Sequence, residues 1–239
     1  MYNLLEMSDI DILKLSEKFI LAIKMEEQYV EFTITLARID YNTLYNQLNN
    51  DDKKKAFWIN IYNAYTQIKL SNEKFRSIYP KFAFFEEEDI VIANHNFSLD
   101  DIEHKILRKS QVKLCMGYCT RWCVPRWESD LRLTQQDYRI HFGLNCGANS
   151  CPPVAFYDHS KIDKQLELAM KNFLRSDSVY DSSKNTLVTS KIFFWFKGDF
   201  GGNTGLINLH KENDIIPKDV NNVSIEYKEY DWKIEKKYV

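Results

Sequence analysis

The nine residues FWINIYNAY, Phe57 to Tyr65, constrain this chain more than any other stretch. Seven of the nine are apolar or aromatic, so the segment is made for burial, yet Asn60 and Asn63 sit inside it. A primary amide has donors and acceptors that all need partners, and burying one without them costs about 1–3 kcal/mol. On a helix Asn60, Asn63 and Gln67 share one face, while Phe57, Ile61, Tyr65 and Ile68 cover another. The amide stripe therefore meets polar groups deep inside the protein. Two uses are open to it: tying down a buried loop, or orienting a catalytic imidazole and donating to a developing oxyanion.

The rest of the composition supports one substantial core. Of 239 residues, 44% are apolar and 28% charged, which suits an ordered domain. A formal charge of −2 argues against a nucleic-acid partner, and the run DDKKK (51–55) reads as a solvated helix start. No stretch approaches eighteen apolar residues, so no membrane span is expected. The N-terminus, MYNLLEMSDIDILKLSEK, lacks a basic region followed by an apolar run, so the expected location is cytoplasmic. Five cysteines, an odd number in a chain of this length, fit a reducing compartment better than a disulfide scaffold.

Residues 8–48 read as helical, with Ser8 and Asp9 as caps, and NNDD (49–52) precedes a second helix over 53–70. Strand character follows around Ile90 and Ile92. SLDDIEHKILR opens with Ser98 and Asp101 in capping-box spacing. A strand is expected over 138–144, running into a turn rich in Gly, Asn and Pro. A helix capped near Ser160 should carry Ile162, Leu166, Ala169 and Phe173 on one face. TLVTSKIFFWF and VSIEYKEYDW are later apolar segments flanking the Gly-rich KGDFGGNTG. With no repeat and no linker, the expected fold is α+β, one domain with helices packed on a small, mostly antiparallel sheet.

Three groups of residues carry possible chemistry. His141, Cys146 and Cys151 follow one another at five-residue spacing, where a strand end feeds a turn, and a cysteine there becomes a nucleophile if a base or dipole favours its thiolate. The bland alternative is a buried thiol beside a surface imidazole. His104 and Arg108 lie one turn apart on the polar side of the SLDDIEHKILR helix, next to Glu103. Cys115, Cys119 and Cys123 stack at i, i+4 and i+8, which suits core packing rather than a zinc site. Neither a metal nor any other cofactor is expected.

AFWINIYNAYT, SLDDIEHKILR, RIHFGLNCGANSCPP, SKIFFWFKGDF and the late YDW occur in that order over residues 40–232. On these motifs the chain is identified as a member of the domain of unknown function 547, with residues 1–39 as an N-terminal helical extension and 40–239 as the domain. The family resembles a rearranged thiol-peptidase or transglutaminase-like arrangement, with a cysteine in the NCG turn and a histidine in the IEH helix. That resemblance implies a papain- or transglutaminase-like fold, Cys146 as nucleophile, His104 as its base, and Asn60 and Asn63 as supporting amides. The family pattern keeps Cys146 and accepts serine at Cys151. GANSCP is also similar to the approach to a papain-type cysteine, but Pro152 and Pro153 intervene before Ser160.

The expected function is cysteine-dependent acyl transfer, hydrolase or transferase, on a peptide-like amide. Cys146 attacks, with Cys151 as the other candidate. His104 moves the proton, and Glu103, His141 or an asparagine holds the imidazole. Backbone amides around Gly147 face the oxyanion, and Arg108 and Asn145 are binding groups. The partner is a peptide or protein substrate, with no nucleic acid and no membrane, and the oligomeric state stays open. The rival reading is a non-catalytic peptide- or protein-binding module with a polar cleft.

Overall fold

A computed structural model describes residues 10–234 of the chain. The expected helical run divides into α1 (Ile12–Lys24), α2 (Val30–Arg38) and α3 (Tyr41–Gln47). Asp11 caps α1 by accepting from the amides of Leu13 and Lys14, and Asp40 caps α3 through Thr43 at 3.0 Å. Ser8 and Asp9 lie outside the described residues. Phe19 and Ile20 of α1 are fully buried in the same core as the next helix.

That helix, α4 (Asp51–Ser71), is capped by the side chain of Asn50. Every residue from Lys54 to Gln67 is buried, so α4 is a core axis and not an amphipathic surface helix. The lysines at its start are not solvated as expected. Lys54 donates to the carbonyls of Asp130 and Arg132 at 2.9 and 2.8 Å, and Lys55 pairs with Asp137 at 3.1 Å. These contacts anchor the helix start to the chain just ahead of His141.

α5 (Glu73–Ile78) and α6 (Phe82–Glu86) lead to an antiparallel hairpin, β1 (Ile90–Ile92) and β2 (His95–Phe97). Ala93 and Asn94 make its two-residue turn with positive φ, 52° and 58°. The capping box at Ser98 forms as read: Ser98 Oγ accepts from the Asp101 amide at 3.0 Å, and Asp101 accepts from the Ser98 amide at 3.1 Å. The helix it opens, Asp101–Leu107, is a π-helix, in which the Arg108 amide reaches back to the Glu103 carbonyl.

Two expectations fail in the next segment. Lys113–Cys115 forms a single 3-10 turn, ended by Met116 and Gly117 at φ 53° and 86°. No helical cysteine stripe exists there, and Cys119 and Cys123 are exposed, so these thiols do not pack a core. Pro125 then leads into α7 (Arg126–Leu131) as its N-cap residue. Residues Tyr138–Phe142 are a 3-10 helix and not a strand, because Asp137 turns the chain: its carboxylate accepts from the Arg139 amide and its carbonyl accepts from the Ile140 amide.

α8 (Ile162–Asp177) follows, with Ile162, Leu166 and Phe173 buried as expected. It lacks the expected side-chain cap: the Ser160 amide and hydroxyl turn back to Asp158. The remaining elements are β3 (Val179–Asp181), β4 (Thr186–Thr189), α9 (Ile192–Trp195), α10 (Gly202–Glu212) and β5 (Ser224–Tyr227). β4 pairs antiparallel with β3 and parallel with β5. The chain is a single α+β domain, with two small sheets among the described residues. None of the helices among the described residues is long and apolar enough to cross a membrane.

The interior has two apolar clusters, one around α4 and one around Phe142, Phe193 and Phe200. The amides of α4 bind the loop that runs between them. Asn63 donates to the Gly143 carbonyl at 2.9 Å and accepts from the Asn145 amide at 2.8 Å. Asn60 donates to the Tyr157 carbonyl and accepts from the Tyr157 amide, both at 2.8 Å. The loop-tying use is the one realised, and neither amide reaches an imidazole. Asn60→Leu or Asn63→Leu should lower unfolding free energy by about 1–3 kcal/mol, since each strands buried main-chain groups. Urea unfolding reads this, and a change within about 0.5 kcal/mol for both variants would contradict the clamp.

Candidate functional site

Between the two clamps lies the turn Leu144–Pro153, shaped by its own asparagine. Asn145 Oδ1 accepts from the Gly147 amide at 2.9 Å and from Gln67 of α4 at 3.3 Å, and its Nδ2 donates to the Pro152 carbonyl at 2.6 Å. Gly147 has φ +92°, and a Cβ there would overlap Leu70. Its amide donates to Asn145, so this N–H, among the backbone amides expected to face the oxyanion, already has a partner.

This turn brings Cys146 and Cys151 together as a disulfide, so two of the five cysteines are paired, contrary to the all-thiol expectation. The Cys146 amide donates to Cys151 Sγ at 3.1 Å. The Tyr230 hydroxyl lies 3.2 Å from Cys151 Sγ and 3.5 Å from Cys146 Sγ.

Both sulfurs line a cavity of about 520 Å³, which Glu103, His104 and His141 also line. The five residues proposed from sequence as catalytic therefore share one space, reached from three separate parts of the chain. The proposed binding residues Asn60, Asn63, Arg108, Asn145 and Gly147 do not line it; Arg108 and Asn145 bond lining residues, His104 and Pro152.

The Arg108–Asp199 ion pair joins the two histidines. His141 Nε2 is 2.8 Å from Asp199 Oδ2, and Arg108 grips the same carboxylate with Nε at 2.7 Å and Nη2 at 3.0 Å. Arg108 Nη1 is 3.0 Å from His104 Nδ1. A guanidinium only donates, so Nδ1 accepts and the His104 proton resides on Nε2, 3.7 Å from Asp100 Oδ1. His104 is thus held by Arg108, not by Glu103 or an asparagine. Phe196 fills the space beside this network, stacked on His141 at 4.0 Å and on the Arg108 guanidinium at 4.5 Å.

Burial governs the charge states. It pushes His104 well below the ordinary imidazole range, with Arg108 adding to the effect, and lowers His141 although Asp199 opposes it. For Asp199 burial works against ionisation, but the hydrogen bonds from His141 and Arg108 outweigh it and hold the carboxyl well below its usual range. Glu103 is raised to about 7 by burial, with Arg108 opposing, and it accepts from the Tyr62 hydroxyl at 3.3 Å.

Asp199, Tyr62 and Tyr230 carry no site role in the sequence reading. The available signal for Asp199 was its place between glycines in KGDFGG. Gly198 lets that turn approach Gly117, whose own missing Cβ leaves room for the carboxylate. Away from the cavity, ligand atoms of Glu17, Asp158 and His159 lie within 4.8 Å of one another. Lys14 already bonds Glu17 at 2.9 Å and Ser160 already bonds Asp158, so this group has internal partners for its charge.

The family model described as "Protein of unknown function, DUF547" matches residues 45–174. This is shorter than the span the motifs suggested: it takes in α4, the π-helix and the cysteine turn, and ends before Asp199 and Tyr230. No curated protein and no solved structure matches the chain.

The raised Glu103 carboxyl has a consequence for stability. Near pH 4 both folded and unfolded chains hold this proton. As pH rises toward 7 the unfolded chain ionises first, so the folded state loses stability, and above about 7 the loss is complete. Glu103→Gln, which keeps an acceptor for Tyr62, should gain about 3 kcal/mol on the wild type between pH 4 and pH 7.5. Paired denaturant titrations read the difference, and a pH-independent offset would contradict it.

Proposed function

The chain belongs to the family of proteins of unknown function DUF547, and we propose that it is a cysteine-dependent acyl-transfer enzyme acting on a peptide-like amide. The observation that carries this reading is the single cavity shared by the cysteine pair, Glu103, His104 and a His141 backed by Asp199. The likeness of the IEH and NCG motifs to thiol peptidases and transglutaminases belongs to the same reading.

The reactive form is the dithiol. A small or protein dithiol reduces Cys146–Cys151 by two electrons, taking up the disulfide itself and leaving two thiols. Cys151 is the better nucleophile, because its sulfur is next to two donors, the Cys146 amide and the Tyr230 hydroxyl, and hydrogen bonds to sulfur favour the thiolate. Asp199 accepts from His141 Nε2–H, which leaves Nδ1 with a lone pair for the thiol proton. Cys151 then bonds to the amide carbon. His104, fixed as the Nε2–H tautomer by Arg108, donates toward the oxyanion in the role first expected of Gly147. His141 then gives that proton to the leaving amine as the carbon–nitrogen bond breaks. Water or a second nucleophile releases the acyl group from sulfur.

Alkylation of the reduced protein tests this. After dithiothreitol, iodoacetamide should label one cysteine with a limb well below the free-thiol value of about 8.5. Cys151→Ser should remove the limb, Cys146→Ser should keep it, and His141→Ala should move it upward. A limb lost with Cys146→Ser and kept with Cys151→Ser would transfer the attack to Cys146 within the same mechanism. No reaction at either cysteine below about pH 8 would overturn acyl transfer in favour of a binding module.

A further inference from the structure

Glu103 is the carboxyl of the cavity whose charge lacks a counter-ion. Arg108 commits its two forked nitrogens to Asp199 and the third to His104. Lys113 bonds Asp100 and Glu86, and Lys105 bonds Asp101. Besides the neutral Tyr62 hydroxyl at 3.3 Å, Glu103 has His104 Nδ1 at 3.8 Å, and Arg108 holds that imidazole neutral. Among the described residues no Lys or Arg nitrogen pairs with Glu103. Its side chain is 14% exposed, and it lines the cavity.

The same cavity is walled by aromatic rings. Tyr230 packs between Trp195 at 4.8 Å and Trp232 at 4.7 Å, with Trp195 and Trp232 5.6 Å apart, and Phe196 and Phe85 extend the surface. The faces of such rings carry negative potential and attract cations, more strongly where water is excluded. An inorganic divalent ion would require several oxygen ligands, but Asp100 is already taken by Lys113. A free anion would meet an uncompensated carboxylate and ring faces of the same sign.

We infer that the cavity binds an organic ammonium ion, its charged nitrogen against Glu103 and its carbon groups against the wall of Trp195, Tyr230 and Trp232. The inference deepens the acyl-transfer reading, on which it rests for the use of the cavity, by giving the substrate or the accepting nucleophile a positively charged amine. The groups that act on Glu103 are Tyr62 from α4, Asp100, His104 and Arg108 from its own helix and its flanks, Lys113 and Tyr230. With the lysine, the arginine and Asp199 already in pairs, the ammonium ion supplies the charge the cavity is missing. Ligand affinity should then follow ionisation of the Glu103 carboxyl.

The test compares choline with its uncharged isostere 3,3-dimethylbutan-1-ol, followed by tryptophan fluorescence and by calorimetry. At pH 8 choline should bind about tenfold more tightly or better. Lowering the pH to 6 should weaken choline by about tenfold and leave the alcohol unchanged. Glu103→Gln should abolish the preference at pH 8, and the wild-type pH series stands by itself if that variant does not fold. Equal affinities at pH 8, no choline binding, or a preference that persists at pH 6 would each overturn the inference. Cysteine alkylation is read independently, so a cavity that binds choline beside unreactive thiols would sink acyl transfer and leave this site standing.

Discussion

The arrangement of this site depends on two side-chain amides that act as peptide groups. Asn60 and Asn63 each accept from one main-chain N–H and donate to one carbonyl, as a neighbouring strand would. Loop main chain cannot be buried unless each N–H and C=O finds a partner. The residues they hold, Gly143, Asn145 and Tyr157, bracket the cysteine turn. α4 can serve as the fixed member because it is buried on all sides and tethered at its start by Lys54 and Lys55. Helix packing thereby becomes the reference against which the sulfurs are positioned.

A second constraint is electrostatic. Arg108 and Asp199 are both fully buried, and an isolated charge at either position would be far too costly to keep. Their cost is offset by four hydrogen bonds: two between the pair, one from Arg108 to His104 and one from His141 to Asp199. The same bonds select the histidine tautomers. One ion pair therefore sets which nitrogen of each imidazole carries a proton, Nε2 in both, and leaves the lone pair of His141 on Nδ1.

Much of this was legible in the residues themselves. The burial of FWINIYNAY, the polar partners of its amides, the capping box at Ser98 and the α+β class all follow from local pattern and composition. The failures have physical causes. Alternation around Ile140 reads as a strand, but Asp137 converts it to a 3-10 turn through a contact with the Arg139 amide. Cys115, Cys119 and Cys123 have helical spacing, yet Met116 and Gly117 take left-handed conformations that no periodicity records. The three lysines of DDKKK look solvated because the carbonyls that bind Lys54 come from residues nearly eighty positions later. Asp199 was invisible as a site residue for the same reason: its meaning lies in two partners, Arg108 and His141, from distant segments.

The π-helix explains why adjacent residues can line one cavity. Glu103 and His104 are neighbours in sequence, and in an ordinary helix the rotation between them would direct one of them away. A helix bonded i to i+5 turns less per residue, so consecutive side chains remain closer in direction. Arg108, four residues beyond His104, then sits behind the imidazole and bonds its Nδ1, while its own amide closes the wide turn on the Glu103 carbonyl. The wider turn thus performs two tasks at once. It brings a carboxyl without a counter-ion and a neutral imidazole into the same space, and it keeps the guanidinium that would otherwise neutralise that carboxyl engaged with Asp199.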